Sequence, residues 1–393
     1  MPDTMLGSSR DGSSRDVLSR RGFLARGLGA CTASTLLASG AAGTLLGCRP
    51  RDAVKGAARV VAYVSVDDVV ARTALAACTA ATGIEIDAVF DTEATKTTGL
   101  ERRILSERSR PRADLFWSSE GFSVERLRRE GALAPFSDEL RASWPARHAD
   151  PEGHWLAFSA RARVVAFAPE RGVAPIASWL DLAKPGLARG SRAAVAIADP
   201  RFGSTRGHLA ALDDAWRVAR ARGVAVPSLE EWLDGLRANG TLVLTGGNAA
   251  TVEAVATGEA AYGLTDTDDV FAAQERGFKV ALSVPRSLPE GAEGGGTMIF
   301  PNTVALVGPS EGREPARAAA ERVAAWLISP EAEDLLCGMS AWRSLPLGPD
   351  AKCDPGFREP DPLRFDLLGS IDSADSIAVA AKARLERAAE PGA

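Results

Sequence analysis

The chain has 393 residues, of which 46% are hydrophobic and 25% charged, and its formal net charge is −5. This is the composition of an ordinary globular protein, and the length allows two or three domains. Residues 1–47 contain five Arg and three Asp, so the remainder carries a net −7. Such an acidic chain lacks the basic face that nucleic-acid binding requires. No segment after residue 50 is long and apolar enough to span a membrane.

The first 47 residues have the layout of an export signal. Ser19-Arg20-Arg21-Gly22-Phe23-Leu24 is a twin-arginine pattern, and an apolar run of small residues follows from 28 to 46. The run ends in Leu45-Leu46-Gly47-Cys48, which resembles the lipobox of bacterial lipoproteins. We predict that 1–47 is a signal peptide used by the twin-arginine route and that Cys48 is lipidated. The mature protein would then lie in the periplasm or at the outer face of the cytoplasmic membrane, with the lipid as its only membrane anchor.

Export bears on the three other cysteines of the mature chain. Cys337 and Cys353 are candidates for a disulfide in an oxidising compartment, and the sequence leaves open whether they pair. Cys78 lies in an apolar run and is expected to be a buried thiol. The three His residues show no metal-ligand spacing, which argues against a His-rich metal site or a His-based catalytic triad.

Strand and helix patterns alternate along the mature chain. A strand at 58–66, a helix at 69–81 and a strand at 84–90 predict a βαβ unit and therefore a parallel or mixed sheet. Further strands are predicted at 113–120, 155–158, 164–168, 193–198, 240–244, 260–264, 280–284 and 298–307. Helices are predicted at 100–108, 124–130, 229–236, 249–257, 270–275, 315–328, 330–339 and 376–388. The sequence does not show whether the polar tail after residue 347 packs on the rest.

Several predicted strands end in polar clusters. The most acidic cluster is Thr265-Asp266-Thr267-Asp268-Asp269, between a predicted strand and a predicted helix. In open α/β sheets, ligands bind beyond the carboxyl ends of the strands. The simpler alternative is an acidic helix start, which the helix dipole favours. We find no known catalytic motif, and the repeated clusters favour a protein that binds a ligand in a cleft.

Six short segments between residues 57 and 347 carry a family resemblance. They are Val61-Ala62-Tyr63-Val64, Ala81-Thr82-Gly83-Ile84, Ala113-Asp114-Leu115-Phe116-Trp117, Ser159-Ala160-Arg161-Ala162-Arg163-Val164, 233–240 and 253–259. In this order they resemble the ferric-ion-type substrate-binding proteins of bacterial ABC transporters. The resemblance implies an α/β, two-lobed periplasmic binding protein type II fold with a hinge of crossing strands. It places 48–160 and about 285–328 in lobe 1, and about 161–284 and about 329–393 in lobe 2.

The resemblance also implies a metal site. In iron-binding members the ligands are a residue after the first strand, a Glu after the strand at 113–117, and a pair of Tyr. The corresponding positions in this chain are Asp67, then Ser119 or Glu120, and the pair Asp268 and Asp269. Of Ser119 and Glu120, only Glu120 has the chemistry of a metal ligand. The chain has only two Tyr, Tyr63 and Tyr262, so the Tyr pair is replaced by Asp and the identity of the metal stays open.

The chemistry of these positions admits two kinds of ligand. Converging carboxylates would repel one another unless a cation were present, and hard oxygen ligands suit Fe³⁺, Ca²⁺, Mn²⁺ or Mg²⁺. Hydroxyls and helix N-terminal amides suit instead an anion, either as the solute or as a synergistic partner of the metal. The candidate contacts for an anion are Ser118, Ser119, Arg161, Gly203, Ser204, Thr205, Gly246, Asn248 and Asp266.

We therefore predict a lipid-anchored, monomeric solute-binding protein that serves an ABC permease and its ATPase and has no catalytic cofactor. Its leading cargo is a metal ion, Fe³⁺ or another hard cation. One alternative is a binding protein for an anionic organic solute, such as a sugar phosphate or a phosphonate. A third hypothesis is an exported hydrolase that uses acidic residues.

Overall fold

The computed structural model describes residues 59–91, 98–187, 192–201, 203–308 and 314–387. The predicted signal peptide and the lipidation site at Cys48 lie outside these ranges. The strands are β1 (Arg59–Val64), β2 (Glu85–Phe90), β3 (Leu115–Ser118), β4 (Leu133–Ala134), β5 (Trp155–Phe167), β6 (Ala193–Ala198), β7 (Thr241–Leu244), β8 (Ala260–Asp266), β9 (Ala281–Ser283) and β10 (Ile299–Val307).

The helices lie between these strands and after the last of them. They are α1 (Asp68–Thr82), α2 (Thr98–Ser106), α3 (Gly121–Arg129), α4 (Asp138–Ala142), α5 (Gly203–Ala221), α6 (Leu229–Ala238), α7 (Gly247–Thr257), α8 (Thr267–Glu275), α9 (Glu314–Leu327), α10 (Pro330–Gly338) and α11 (Leu367–Leu385). Short 3-10 helices occupy Ala146–His148, Pro169–Arg171 and Trp179–Ala183. Within the part of the chain that the structure describes, no helix combines the length and apolar character needed to cross a membrane.

The strands form one mixed sheet in the order β2-β1-β3-β10-β5-β8-β6-β7, with β4 added on β10 and β9 on β5. The β1/β2, β1/β3, β6/β7 and β6/β8 pairs are parallel. Parallel neighbours need a long crossover connection, which α1 supplies between β1 and β2 and which α5 and α6 supply between β6 and β7. The sheet thus has two parallel groups of strands, which build the two lobes around a shared antiparallel centre.

The long strand β5 joins the two lobes. Its first part, from Trp155 to Ala162, pairs antiparallel with β10, and its last part, from Arg163 to Phe167, pairs with β8 and β9. The sequence predicted two separate runs here, because two arginines interrupt the apolar pattern. The structure shows one continuous strand, since both guanidinium groups find buried partners in the folded protein.

The apolar side chains divide into a core for each lobe. In the first lobe, β1, β3 and β10 pack against α1 and α9 through buried residues such as Val64, Trp117 and Leu327. In the second lobe, β6 and β8 pack against α5 and α6 through residues such as Trp216 and Trp232, whose rings meet edge to face at 5.6 Å between centroids. The chain crosses between the two cores in β5, in β10 and again in the segment between α10 and α11.

The segment after residue 329 divides between the two lobes. Ala332 and Leu336 of α10 are buried in the first-lobe core, whereas α11 packs on α5 in the second lobe. This differs from the expected boundary, which gave all of 329–393 to the second lobe. The reason is the two-residue connection from α9 to α10, which is too short to leave the first lobe.

The two open questions about the cysteines and the tail are settled by packing. Cys337 of α10 and Cys353 form a disulfide with their Cα atoms 6.0 Å apart, and Cys78 is a buried free thiol as expected. The tail after residue 347 starts on the first lobe, where Cys353 is bonded to α10, and reaches the second lobe by Phe357. Phe357 lies 6.3 Å from the ring of Phe271 on α8.

Candidate functional site

The acidic stretch lies where β8 ends and α8 begins. Asp266 occupies the N-cap position of α8, but its side chain makes no capping hydrogen bond. Asp268 and Asp269 lie in the first turn of the helix, where the helix dipole favours negative charge. One carboxylate oxygen from each of the three residues lies within 4.8 Å of the others. We call these three residues the acidic cluster.

Arg163 of β5 neutralises one member of the acidic cluster. Its side chain is wholly buried, and its Nη1 donates to Asp266 Oδ1 at 3.0 Å. The same guanidinium donates to Ser204 Oγ at 3.3 Å, Asn248 Oδ1 at 3.2 Å and Thr205 Oγ1 at 3.0 Å. Asn248 also donates to Asp266 Oδ2 at 3.1 Å. The residues expected to bind an anion therefore surround an internal ion pair.

Arg161, two residues earlier on β5, faces a second member of the acidic cluster. Its Nε lies 3.4 Å from Asp268 Oδ1 and its Nη2 lies 3.6 Å from Asp266 Oδ2. On the other side, Nη1 donates to the backbone oxygen of Ser119 at 3.0 Å, and the guanidinium carbon lies 5.7 Å from the centre of the Trp342 ring. Arg161 therefore contacts groups from both lobes.

The charged groups of the site shift one another's pKa values. Burial raises the pKa of Asp268 well above its usual range, Arg161 opposes this rise, and Asp269, Asp266 and Asp67 add to it. Burial works against the charge of Arg161, but the same four carboxylates outweigh it and raise the pKa of the guanidinium. Asp67, the N-cap residue of α1, therefore acts electrostatically on this site, and its role as a metal ligand stays a prediction.

Glu120 has a different role from the one predicted. Its carboxylate accepts hydrogen bonds from the backbone N–H groups of Phe122 at 2.5 Å and Ser123 at 3.1 Å, so it caps α3. The first N–H groups of a helix lack partners within the helix, and a carboxylate just before them satisfies them. The expected set of four converging ligands is thus corrected: Asp268 and Asp269 gather with Asp266, and Glu120 does not join them.

The remaining predicted contacts are structural in the described conformation. Ser118 Oγ donates to the backbone oxygen of Glu120, and the backbone N–H of Ser119 donates to Ser65 Oγ. Gly203 begins α5 with a left-handed φ of 53°, which favours Gly, and Gly246 lies at the N-cap of α7. These glycines place the two helix N-termini beside the Arg163 ion pair, through Ser204 and Asn248.

Sequence reasoning did not predict the contacts of Arg163, Thr265 and Thr267, and it missed Trp342. Arg163 shares a strand face with Arg161 because alternate residues point the same way, and that spacing was an available signal. Thr265 Oγ1 donates to Asp269 Oδ2 at 3.2 Å, and the backbone N–H of Ala162 donates to Thr267 Oγ1 at 3.3 Å. Trp342 gave no signal, since nothing in the sequence links it to a strand far earlier in the chain.

A second group of metal-type ligands lies on the surface of the first lobe. Asp150, Glu152 and His154 also bring ligand atoms within 4.8 Å of one another. Arg128 Nη1 donates to Glu152 at 3.1 Å, and His154 Nδ1 lies 3.0 Å from Asp150 Oδ2. Internal contacts therefore compensate this group, which serves below as a control.

Comparison with known proteins identifies the family. The model of the bacterial extracellular solute-binding proteins matches residues 58–337. A probable ABC transporter periplasmic-binding protein of Sinorhizobium fredii, y4fP, is 34% identical over 84 residues. That alignment spans 21% of this chain and 24% of the relative, about a quarter of its length.

Solved structures share the fold over almost their whole length. Iron-bound HitA from Pseudomonas aeruginosa has a TM-score of 0.65 at 22% identity and covers 84% of this chain and 99% of its own. The apo ferric ion-binding protein A of Pasteurella haemolytica has a TM-score of 0.68 at 19% identity, covering 85% and 100%. AfuA from Actinobacillus pleuropneumoniae, with fructose-6-phosphate bound, has a TM-score of 0.66 at 16% identity, covering 84% and 99%. The chain belongs to the bacterial extracellular solute-binding proteins and has the two-lobed type II periplasmic-binding fold.

Proposed function

We propose that this protein is the solute-binding component of an ABC importer and that its cargo is a hard metal cation, with ferric iron the first candidate. The observation that carries the proposal is the acidic cluster, whose three carboxylates approach within 4.8 Å beside the strand that joins the lobes. Oxygen donors are the ligands that hard cations prefer. The iron-bound HitA structure, which has the same fold, supports the choice of iron.

The state of Asp268 adds a second argument for a cation. Its Oδ1 is buried and has no hydrogen-bond partner among the described residues. A buried carboxylate oxygen of this kind is costly unless positive charge compensates it, and the single charge of Arg161 at 3.4 Å leaves the pKa of Asp268 raised. Asp67 and Asp269 increase the negative potential at Asp268, so a multivalent cation would be favoured at this point.

The cation proposal is tested by thermal unfolding of the mature chain with a panel of metal salts, together with metal analysis of the purified protein. A cation that binds the folded state raises the melting temperature by mass action. We expect the double variant Asp268→Asn, Asp269→Asn to lose this shift. The control Glu152→Gln, in the surface group of the first lobe, should keep it. If the double variant showed the same metal-induced rise in melting temperature as wild type, Asp268 and Asp269 would not bind the metal. They would then act only as N-terminal residues of α8.

A second candidate cargo is an anionic organic solute, such as a sugar phosphate or phosphonate. It is favoured by the fructose-6-phosphate bound to AfuA and by the two buried arginines of β5. Arg163, however, is already engaged by four side chains, which weakens this candidate. Adding fructose-6-phosphate to the same unfolding assay separates the two. Stabilisation by the sugar phosphate and by no metal would contradict the cation proposal.

The cellular part of the proposal rests on the N-terminal sequence. We propose export by the twin-arginine route, lipidation of Cys48, and delivery of the cargo by a monomer to a permease and its ATPase. Cys48→Ser should move the protein from the membrane fraction to the soluble periplasmic fraction. Replacing Arg20 and Arg21 with Lys should leave the precursor in the cytoplasm, and normal export of that variant would exclude the twin-arginine route.

A further inference from the structure

The two arginines of β5 are bound in very different ways. Arg163 donates hydrogen bonds through both terminal nitrogens to four side chains. Arg161 faces Asp268 without a hydrogen bond: its Nε and Asp268 Oδ1 are 3.4 Å apart, and neither atom has a hydrogen-bond partner among the described residues. The Arg161–Asp268 contact is therefore held by charge alone.

We propose that Arg161 is an internal counter-cation of Asp268 and that the cargo must displace it in order to bind. This inference rests on the proposed function as a metal carrier and adds a determinant of specificity to it. Arg161 and the cargo would compete for one carboxylate, so the guanidinium sets the minimum attraction that an accepted cation must provide.

Charge decides which cations can win this competition. The attraction between an ion and a carboxylate grows in proportion to the charge of the ion, so a trivalent ion gains three times as much as a monovalent one at equal distance. A monovalent ion or an organic ammonium offers no more charge than the guanidinium already in place. Arg161 thus selects small multivalent cations and excludes monovalent ones.

Two existing contacts can hold the guanidinium of Arg161 after the cargo has displaced it from Asp268. Arg161 already donates to the backbone oxygen of Ser119 at 3.0 Å, and its guanidinium carbon lies 5.7 Å from the Trp342 ring. A cation within about 6 Å of an aromatic ring centre is attracted to the ring face. These two contacts can hold the guanidinium when Asp268 turns to the cargo, so Trp342 is a positioning residue for Arg161.

The test compares metal binding by wild type, Arg161→Gln and the charge-conserving control Arg161→Lys, by equilibrium dialysis with elemental analysis. The probes are ferric nitrilotriacetate and calcium chloride. We expect Arg161→Gln to bind Fe³⁺ at least about tenfold more tightly, because the competing charge is gone, and to take up Ca²⁺ more readily than wild type. Arg161→Lys should stay close to wild type.

Trp342→Leu provides a second test that leaves every charge in place. It should weaken Fe³⁺ binding several-fold, because the guanidinium then loses a contact that holds it once Asp268 has turned to the cargo. It also tests the displacement if Arg161→Gln does not fold. An unchanged Fe³⁺ affinity in Trp342→Leu would contradict the displacement.

The outcomes separate this inference from the proposed function. If wild type binds Fe³⁺ and Arg161→Gln binds it more weakly, Arg161 supports the cargo, and the counter-cation role is wrong while the carrier proposal stands. If Arg161→Gln binds metal and wild type does not, the counter-cation role holds and the carrier proposal fails. If no variant binds either metal, both are wrong.

Discussion

Asp266 Oδ1 accepts a hydrogen bond from Arg163 Nη1 at 3.0 Å, and both side chains are almost completely buried. The pair joins β8 to β5 at the boundary of the lobes. Removing one partner of a buried ion pair leaves an uncompensated charge and commonly costs about 3–5 kcal/mol. We therefore predict that Asp266→Asn lowers the free energy of unfolding by about 3 kcal/mol, as measured by urea denaturation.

The matched control for this pair is Asp354→Asn. Asp354 is exposed and lies 3.1 Å from the exposed Arg358. Exposed pairs contribute about 0–1 kcal/mol, so this variant should unfold almost like wild type. Similar losses in the two Asn variants would show that burial of the Arg163 pair does not matter for stability.

The sequence predicted the elements better than it predicted the site. Apolar periodicity located β1, α1 and β2, because each element buries one face in the core. It split β5 in two, because the partners that neutralise Arg161 and Arg163 come from strands and helices about 40–100 residues away. The same limit explains Trp342, which reaches Arg161 only through the folded chain.

For the site residues too, the sequence carried information on local contacts but not on contacts between distant parts of the chain. The family comparison brought Asp268 and Asp269 forward, and the structure places them together with Asp266. Glu120 was assigned as a ligand on chemical type. A local rule, that a carboxylate before a helix binds the first N–H groups, describes its actual contacts. Capping of a helix N-terminus was therefore an alternative to metal binding both at Glu120 and at the acidic cluster. Only the folded geometry distinguishes the two roles.

Glu333 binds the backbone of β5 at the register shift beside Ser159. Its carboxylate accepts hydrogen bonds from the N–H groups of Ser159 at 2.9 Å, Leu347 at 2.8 Å and Gly348 at 2.7 Å. Ser159 has a left-handed φ of 48°, which is strained for a residue other than Gly. In Glu333→Gln, the amide NH₂ must face one of these donors, so we predict a loss of about 1–3 kcal/mol in the free energy of unfolding.

Urea denaturation of Glu333→Gln also tests whether the effect is specific to the buried carboxylate. Glu331→Gln, on the exposed face of the same helix, makes the same chemical change. Exposed substitutions of this kind usually stay within about 0.5 kcal/mol. If the two variants lose equal stability, the three N–H contacts of Glu333 are not what holds this segment.

The disulfide between Cys337 and Cys353 closes a short loop, with a sequence separation of 16 residues. A cross-link of about 15 residues is expected to stabilise a protein by about 3 kcal/mol, mainly by restricting the unfolded chain. We predict that dithiothreitol lowers the melting temperature of the mature chain. The variant Cys337→Ser, Cys353→Ser should already melt at the lower temperature and should not respond to the reductant.

Cys78, the free thiol among the residues that the structure describes, provides an internal check on that experiment. Burial raises the pKa of Cys78 to about 11, so the folded protein should not expose a reactive thiolate at neutral pH. Thiol reagents should label Cys78 only after unfolding. A response of the double Ser variant to dithiothreitol would contradict the assignment of the effect to the disulfide.

His208 on α5 makes the stability of the second lobe depend on pH. Its ring is fully buried, 4.4 Å from the Trp179 ring, and neither nitrogen has a hydrogen-bond partner among the described residues. Burial lowers the pKa of His208 well below its usual range, and the nearby charge of Arg163 lowers it further. The folded protein therefore keeps this imidazole neutral in mildly acidic solution.

The sign of the pH effect follows from this depressed pKa. Above pH about 6.5 both the folded and the unfolded protein carry neutral His208, and its contribution is constant. Below that pH the unfolded chain binds a proton that the folded chain does not, so stability falls by up to about 1.4 kcal/mol per pH unit. We predict that His208→Leu loses less stability than wild type between pH 7 and pH 5, by about 2 kcal/mol. Urea titrations at both pH values measure the difference, and parallel losses in the two proteins would mean that folded His208 takes up a proton.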